Sequence, residues 1–331
     1  MVDIAEINSI AVANISEVNG IAIANIASVI GVDWPSAGGG DRGVIYAGKY
    51  SGGSSTTIDY ITISSAGNAT DFGDTTSLGA RRPMGESNGG NGRGVIACGY
   101  KSATVNDIDY FTISTPANAI DFGDTTVARY GGASASNGTN ERITFGGSGN
   151  TIDYVTANSI GNATDFGDLS GTLSYGQACS NITNERGVYA LSYTSNLRTI
   201  DYITINSTGN SSDFGDLLGD ASKASNGGCS NGTNERGLFE RGANTNIIEY
   251  ITINSTGNAT DFGDLLSTRS YYGATSNMTN ERGVYACPDT ASGSTGYSTE
   301  ISYFTINSTG NATDFGDATQ ARLNACPISN A

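Results

Sequence analysis

The stretch GNATDFGDLL, Gly257–Leu266, decides how this chain is read. Copies with the same first eight residues begin at Gly67, Gly161 and Gly310, and looser ones run through Asp121 and Asp213. Asp-Phe-Gly also occurs in protein kinases, where the Asp holds magnesium. Six copies are therefore either six sites or six building units. The kinase reading fails on the sequence. No phosphate-cradling glycine loop precedes a strand lysine, and a chain with no histidine cannot carry the His-Arg-Asp catalytic loop.

Spacing favours building units. Three markers recur in order. The first is an arginine, usually followed by glycine: Arg42, Arg93, Arg142, Arg186, Arg236 and Arg282. The second is an Ile-Asp-Tyr phrase centred on Asp59, Asp109, Asp153, Asp201, Glu249 and Ser302. The third is Asp-Phe-Gly-Asp, starting at Asp71, Asp121, Asp165, Asp213, Asp261 and Asp314. The second and third markers are always 12 residues apart, and the next arginine follows after 21 to 23. Only the step from arginine to the second marker varies, between 11 and 20 residues.

Each unit reads as four short strands. In the fourth copy RGVYAL, from Arg186, is apolar and β-branched, and TIDYITI follows a loop and ends at Ile205. NSTGN turns the chain, since Gly and Asn tolerate positive φ, and SSDFGDLL returns. A segment of small residues closes the unit, with cousins GGASASN at Gly131, GQACSN at Gly176 and YGATSN at Tyr272. Four strands every 40 to 50 residues is the period of a β-propeller blade. Blades crowd at the axis, so the small-residue strand is expected innermost and the DFGD strand outermost. There its charges and glycine would protect an edge, and its Phe would seal the blade. The arginine is expected to bond a carboxylate or carbonyls within or between blades.

The repeats enter at DRGVIYAG, already at a second strand, and end on DFGDATQARLNACPISNA. A final strand from Ala321 to Asn330 would supply what the first blade lacks. The expected fold is all-β: a six-bladed β-propeller over residues 38–331, closed by strands from both termini. The connections between the arginine strand and the Ile-Asp-Tyr strand fall on one face and carry the sequence variation. Tyr50, Tyr100, Lys101, Tyr193, Arg198, Arg241 and Tyr297 on them are the candidate binding residues, because loops on a rigid scaffold carry binding.

Residues 1–37 follow another rule. EINSIAVANIS from Glu6 is followed by EVNGIAIANIA from Glu17, a period of 11. Ile7, Ile10, Val12, Ile15, Val18, Ile21, Ile23 and Ile26 recur at steps that match neither helix nor flat strand. So many Ile and Val in a short segment need a surface to cover them. A short β-rich attachment or oligomerisation segment is expected here, with Gly38–Gly40 as a hinge. A homo-oligomer built on this segment is one expected outcome, and a strand packed on its own propeller is the alternative.

Composition narrows function. Net charge is −16 with a pI near 4.2, which argues against binding a nucleic-acid backbone. The absence of histidine removes Ser-His-Asp and Cys-His catalysis and His-ligated metals. Cys98, Cys179, Cys229, Cys287 and Cys326 show no CxxC spacing and read as free, buried thiols. No apolar run is long enough to span a membrane, so no membrane insertion is expected. The N-terminus lacks a basic start with an apolar block, so no signal peptide is expected. No cofactor or metal is expected, although calcium at the paired DFGD carboxylates stays open.

IEYITINSTGNATDFGDLL from Ile248, ATSNMTNERGVYA from Ala274 and VNGIAIANIASV from Val18 resemble repeat-containing structural proteins of tailed bacteriophage virions, especially marine phages. Kelch-type propellers are a more distant analogy. The resemblance covers residues 41–331 through the blades and 4–34 through the N-terminal segment. It implies a non-enzymatic virion structural protein: a fibre, neck appendage or head decoration, assembled in the host cytoplasm. Its partners would be other virion proteins through residues 1–37, and a host-surface glycan or protein through the propeller. The competing readings are a cellular lectin-like adhesin, favoured by the many Asn-x-Ser/Thr triplets, and a glycan-acting propeller enzyme. The enzyme would need one pair of carboxylates singled out in a central pocket, whereas the acids here recur evenly in the blades.

Overall fold

A computed structural model describes residues 41–75, 81–88, 92–137, 141–181, 185–191, 198–219, 227–231, 235–241, 245–269, 273–277, 281–290 and 296–329, with short paired pieces within 6–33. Every regular element among them is a strand. Six four-stranded antiparallel sheets form the six blades of a β-propeller. In the third blade the order from axis to rim is Ala133–Ser136, Arg142–Gly146, Gly149–Thr156 and Thr164–Leu173. The other blades repeat this order.

The innermost strands are short and poor in bulk: Met84–Ser87, Ala133–Ser136, Gln177–Asn181, Gly228–Ser230, Gly273–Ser276 and Cys326–Ser329. Each packs against the next around the axis, and the last meets the first. Larger side chains would hold the blades apart. The ring closes where Cys326–Ser329 pairs with Arg42–Tyr46, so strands from the two ends of the repeat region share one sheet. The expected closing strand, Ala321–Asn330, is corrected here. Ala321 belongs to the outer strand Thr313–Arg322, and Asn324, at φ 57°, turns the chain into the closing strand.

Between blades lies the core, in six clusters. Each joins one blade's strands to its neighbour's, as where Phe166, Leu169 and Ile152 meet Tyr189, Ile203 and Ile205. The DFGD phenylalanines Phe72, Phe122, Phe166, Phe214, Phe262 and Phe315 are all buried and set edge-on to the tyrosine of the adjoining strand.

Within residues 1–40 the backbone pairs Glu6–Ile7 with Ile10–Ala11, Glu17–Val18 with Ile21–Ala22, and Ser28–Val29 with Val32–Asp33. These two-residue ladders recur at the 11-residue period of the sequence. Ile7, Ile10, Val18 and Ile21 fall on them; Val12, Ile15, Ile23 and Ile26 lie outside the described residues, as does the expected hinge at Gly38–Gly40.

Candidate functional site

The repeated residues are spent on joining blades. Each marker arginine starts a second strand opposite a threonine, as Arg42 pairs with Thr62. That register puts the tyrosine two residues earlier diagonally beside it. The guanidinium stacks on this tyrosine, 4.1–4.6 Å from the ring centre in Arg42–Tyr60, Arg93–Tyr110, Arg142–Tyr154, Arg186–Tyr202, Arg236–Tyr250 and Arg282–Tyr303. It then donates to a backbone carbonyl of the next blade, 2.8–3.2 Å away, at Ile113, Ala157, Ile205, Ile253, Ile306 and Ile63 in turn.

The DFGD phrase and the asparagine of the turn before it are two halves of one clasp. The backbone N–H of the second aspartate donates to an asparagine side chain of the following blade, at 3.0–3.1 Å, from Asp74 to Asn118 and on round the ring to Asp317 and Asn68. The aspartate carbonyl accepts from the N–H of the residue after that asparagine, as between Asp168 and Ser211 at 2.8 Å. The outer strand is therefore not a bare edge, and its glycine does more than kink it. At Gly215 φ is +148°, and a Cβ there would stand 2.6 Å from the carbonyl carbon of Gly257 in the next blade. Only glycine lets the clasp close.

The aspartates of the Ile-Asp-Tyr phrase are fully buried and also face the preceding blade. Asp153 accepts from the Thr126 N–H at 3.0 Å, the Thr126 hydroxyl at 2.6 Å and the Arg129 guanidinium at 2.6 Å. Asp59 pairs likewise with Arg322 at 3.0 Å, and Asp201 accepts from both the N–H and the hydroxyl of Ser170. Among the described residues no group of three or more Cys, Asp or Glu side chains is placed to hold a metal.

The axial channel encloses a small cavity, about 50 Å³, walled by the inner strands of all six blades. Its lining is mostly hydroxyls, with the thiols of Cys179 and Cys229 and, among the described residues, a single carboxylate, Glu86. Glu86 keeps part of its surface open to the channel, yet burial there pushes its pKa up to about 8.

The two faces of the ring differ. On one, Asp41, Glu141, Glu185, Glu235 and Glu281 each stand one residue before a second strand. The chain enters the propeller on this face at Asp41, and the closing strand runs out on it at Ser329. On the other lie the variable connections and the corners that lead from each outer strand to the next inner one. Apart from the marker arginines, the buried Arg129 and Arg322, and Arg269 at the end of an outer strand, the described cations Lys49, Arg81, Arg82, Lys101, Arg198 and Arg241 all lie on this second face.

The predicted binding residues do not converge. Tyr50 sits in a tight hairpin, Lys49–Tyr50 with Gly53–Ser54, and Lys49 reaches over the Tyr297 ring at 5.8 Å. Lys101 and Arg198 are exposed on separate blades, and Tyr193 lies outside the described residues. Arg241 is committed to Glu249 at 2.8 Å, an ion pair within its own blade. Tyr100 alone belongs to a larger grouping.

That grouping is a row of three rings, Tyr100, Tyr130 and Tyr175, with centres 5.6 and 6.1 Å apart and edge-to-face. Arg81 stacks on Tyr100 at 4.4 Å, and Arg82 on Tyr175 at 4.5 Å. The backbone holds the row in place. Arg81 and Tyr100 exchange both main-chain hydrogen bonds, at 3.1 and 3.0 Å. The Ser148 hydroxyl bonds both the N–H and the carbonyl of Tyr130, at 3.1 Å each. Arg82 is 8% exposed and donates to Asn324 and to the Tyr175 hydroxyl, at 3.2 and 3.1 Å. A hydrogen bond to Tyr175 raises the Tyr130 phenol pKa, against the nearby Arg82 and Arg81.

Sequence reasoning missed Arg81, Arg82, Tyr130, Tyr175 and Asn324. They occupy the corners just before the small-residue strands, in RRPMG, RYGGA, SYGQA and LNACP. Their shared phase was the available signal. Arg82, Gly131, Tyr175 and Asn324 take the same left-handed turn, at φ 57–65°.

No protein-family model matches this chain, and no curated protein matches it either. The fold defines the class: a six-bladed β-propeller whose blades are clasped by repeated Arg, Asn, Gly and Asp.

Proposed function

We propose that the protein is a non-enzymatic structural component of a tailed-bacteriophage particle: a fibre, neck appendage or head decoration. Residues 1–37 join it to other virion proteins, and the propeller displays one face toward the host surface. The observation that carries this reading is the polarity of the ring. The chain enters on the face rimmed by Asp41, Glu141, Glu185, Glu235 and Glu281, while the variable connections, with Lys49, Lys101, Arg198 and Arg241, and the corners with Arg81 and Arg82 occupy the opposite one. A protein anchored through its N-terminal segment holds that second face outward. The resemblance of the repeat wording and of the 11-residue segment to phage structural proteins supports the same reading. Glycoside hydrolysis takes a pair of carboxylates about the scissile bond, and among the described residues the channel lining has one.

Immunogold labelling of purified particles with antibody to the propeller tests the proposal. Gold at the tail tip indicates host recognition; gold at the head or neck indicates an accessory appendage or decoration. No gold on any particle overturns the virion reading in favour of a cellular lectin-like adhesin, which the same aromatic and cationic face would suit.

A further inference from the structure

We propose that the row Arg81–Tyr100–Tyr130–Tyr175–Arg82 is a binding site for a saccharide unit that bears a carboxylate, such as a uronic acid. The proposal rests on the reading of this face as the displayed one, and it names the ligand class. Three features of the row point to it.

First, the row is uneven. The outer rings each carry a guanidinium, and among the described residues none stacks on Tyr130 between them. Tyr130 is partly exposed and meets its neighbours only edge-on. A ring without a stacking partner on a surface is suited to the C–H face of a pyranose. Second, the two guanidinia differ. Arg82 is buried and spends its donors on Asn324 and Tyr175, so it shapes the site. Arg81 is partly exposed, and among the described residues no carboxylate pairs with it. In a chain of net charge −16, a cation fixed on a ring without an acid is a recognition group for a carboxylate. Third, the row is pre-formed. The reciprocal backbone bonds of Arg81 with Tyr100, and the Ser148 clamp on Tyr130, hold both contact residues in place, so little ordering accompanies binding.

Charge excludes the denser polyanions. The DFGD pairs and the acids of the opposite face repel a nucleic-acid backbone, whereas one carboxylate per sugar can approach the face that carries Arg81. An acidic peptide would satisfy Arg81 but has no flat apolar face for Tyr130.

The test is calorimetric titration of the full chain with oligomers of galacturonic, glucuronic and mannuronic acid. Controls are the methyl ester of the best binder, a neutral glucose oligomer and hexaglutamate. Binding of at least one uronate is expected, about tenfold weaker as the methyl ester and weakened by added salt. Arg81→Gln and Tyr130→Phe probe the two contacts. Arg81→Gln should weaken uronate binding about tenfold or more and abolish the preference over the ester. Tyr130→Phe keeps the ring and should keep most of the affinity, while Tyr130→Ala should lose about tenfold. Unchanged melting temperatures in these variants show that the fold is intact. No binding of any uronate at millimolar concentration overturns the proposal. So does hexaglutamate binding as tightly, or uronate binding that ignores both substitutions. A propeller found on particles that binds none of these sugars loses only the ligand class. Uronate binding by a protein absent from particles loses only the virion reading.

Discussion

The clasp between blades makes a quantitative prediction at Gly215. Gly215 and Gly209 have nearly the same φ, at +148° and +156°, so alanine is strained at both, by about 1–3 kcal/mol. Their surroundings differ. A Cβ on Gly209 meets nothing within 4 Å, whereas one on Gly215 stands 2.6 Å from the Gly257 carbonyl carbon. That neighbour is backbone, held by a 2.8 Å hydrogen bond from the Gly257 N–H to the Phe214 carbonyl, so it cannot swing aside. Forcing the blades apart there should add about 1–3 kcal/mol, the usual range for an overpacked site. For a ring of about 290 residues, an unfolding entropy of roughly 2.1 cal/mol/K per residue amounts to ~0.6 kcal/mol/K. Gly215→Ala should therefore melt about 2–5 °C below Gly209→Ala. Differential scanning calorimetry of both variants beside the parent reads this directly. Equal melting temperatures for the two would refute the clasp, because they would show that the blades yield at no cost where the structure has them in contact.

Three further outcomes are expected. Arg129→Met leaves Asp153 buried without its cation and should destabilise by about 3–5 kcal/mol in urea unfolding; Asp153→Asn added to it should recover part of the loss. Glu86 has its folded pKa raised by burial to about 8, against 4.5 when unfolded, so the folded state holds the extra proton between those values. Stability should then fall as pH rises through about 4.5 to 8, and Glu86→Gln should lose that slope in melting curves taken from pH 5 to 9. The five cysteines are buried, and burial pushes the Cys98 and Cys287 thiols up to about 11. A thiol-reactive chromophore at pH 8 should label none in the native protein and all five after denaturation.

The sequence by itself determined the architecture. A motif copied six times at blade length sets the number of blades, and a strand reduced to Gly, Ala, Ser and Cys must be the one that meets its copies at an axis. The out-of-phase entry at Arg42 and the surplus strand at the far end required a ring joined across both. These are consequences of period and volume, which a linear text records. What the repeated residues touch was decided only in the tertiary structure. Asn210 bonds Asp168 and Arg142 reaches Ile205, each across a blade boundary. Within one copy these residues look like turn and strand-start residues, because their partners are some forty to sixty positions away.

The displayed face was harder to read for the opposite reason. Its residues are not repeated: Arg81 and Tyr130 stand at one place of equivalent corners, Arg82 and Tyr175 at the next place, with different side chains at each, and Tyr100 comes from a different connection. Variation marked the loops as candidates, but it could not show which of them meet. Arg241 turned toward Glu249, while Tyr100 joined a row built from corners that carried no marker. Repetition is visible along a chain because equal positions in a ring need equal chemistry. A single site on that ring breaks the equality, and only the folded geometry brings its parts together.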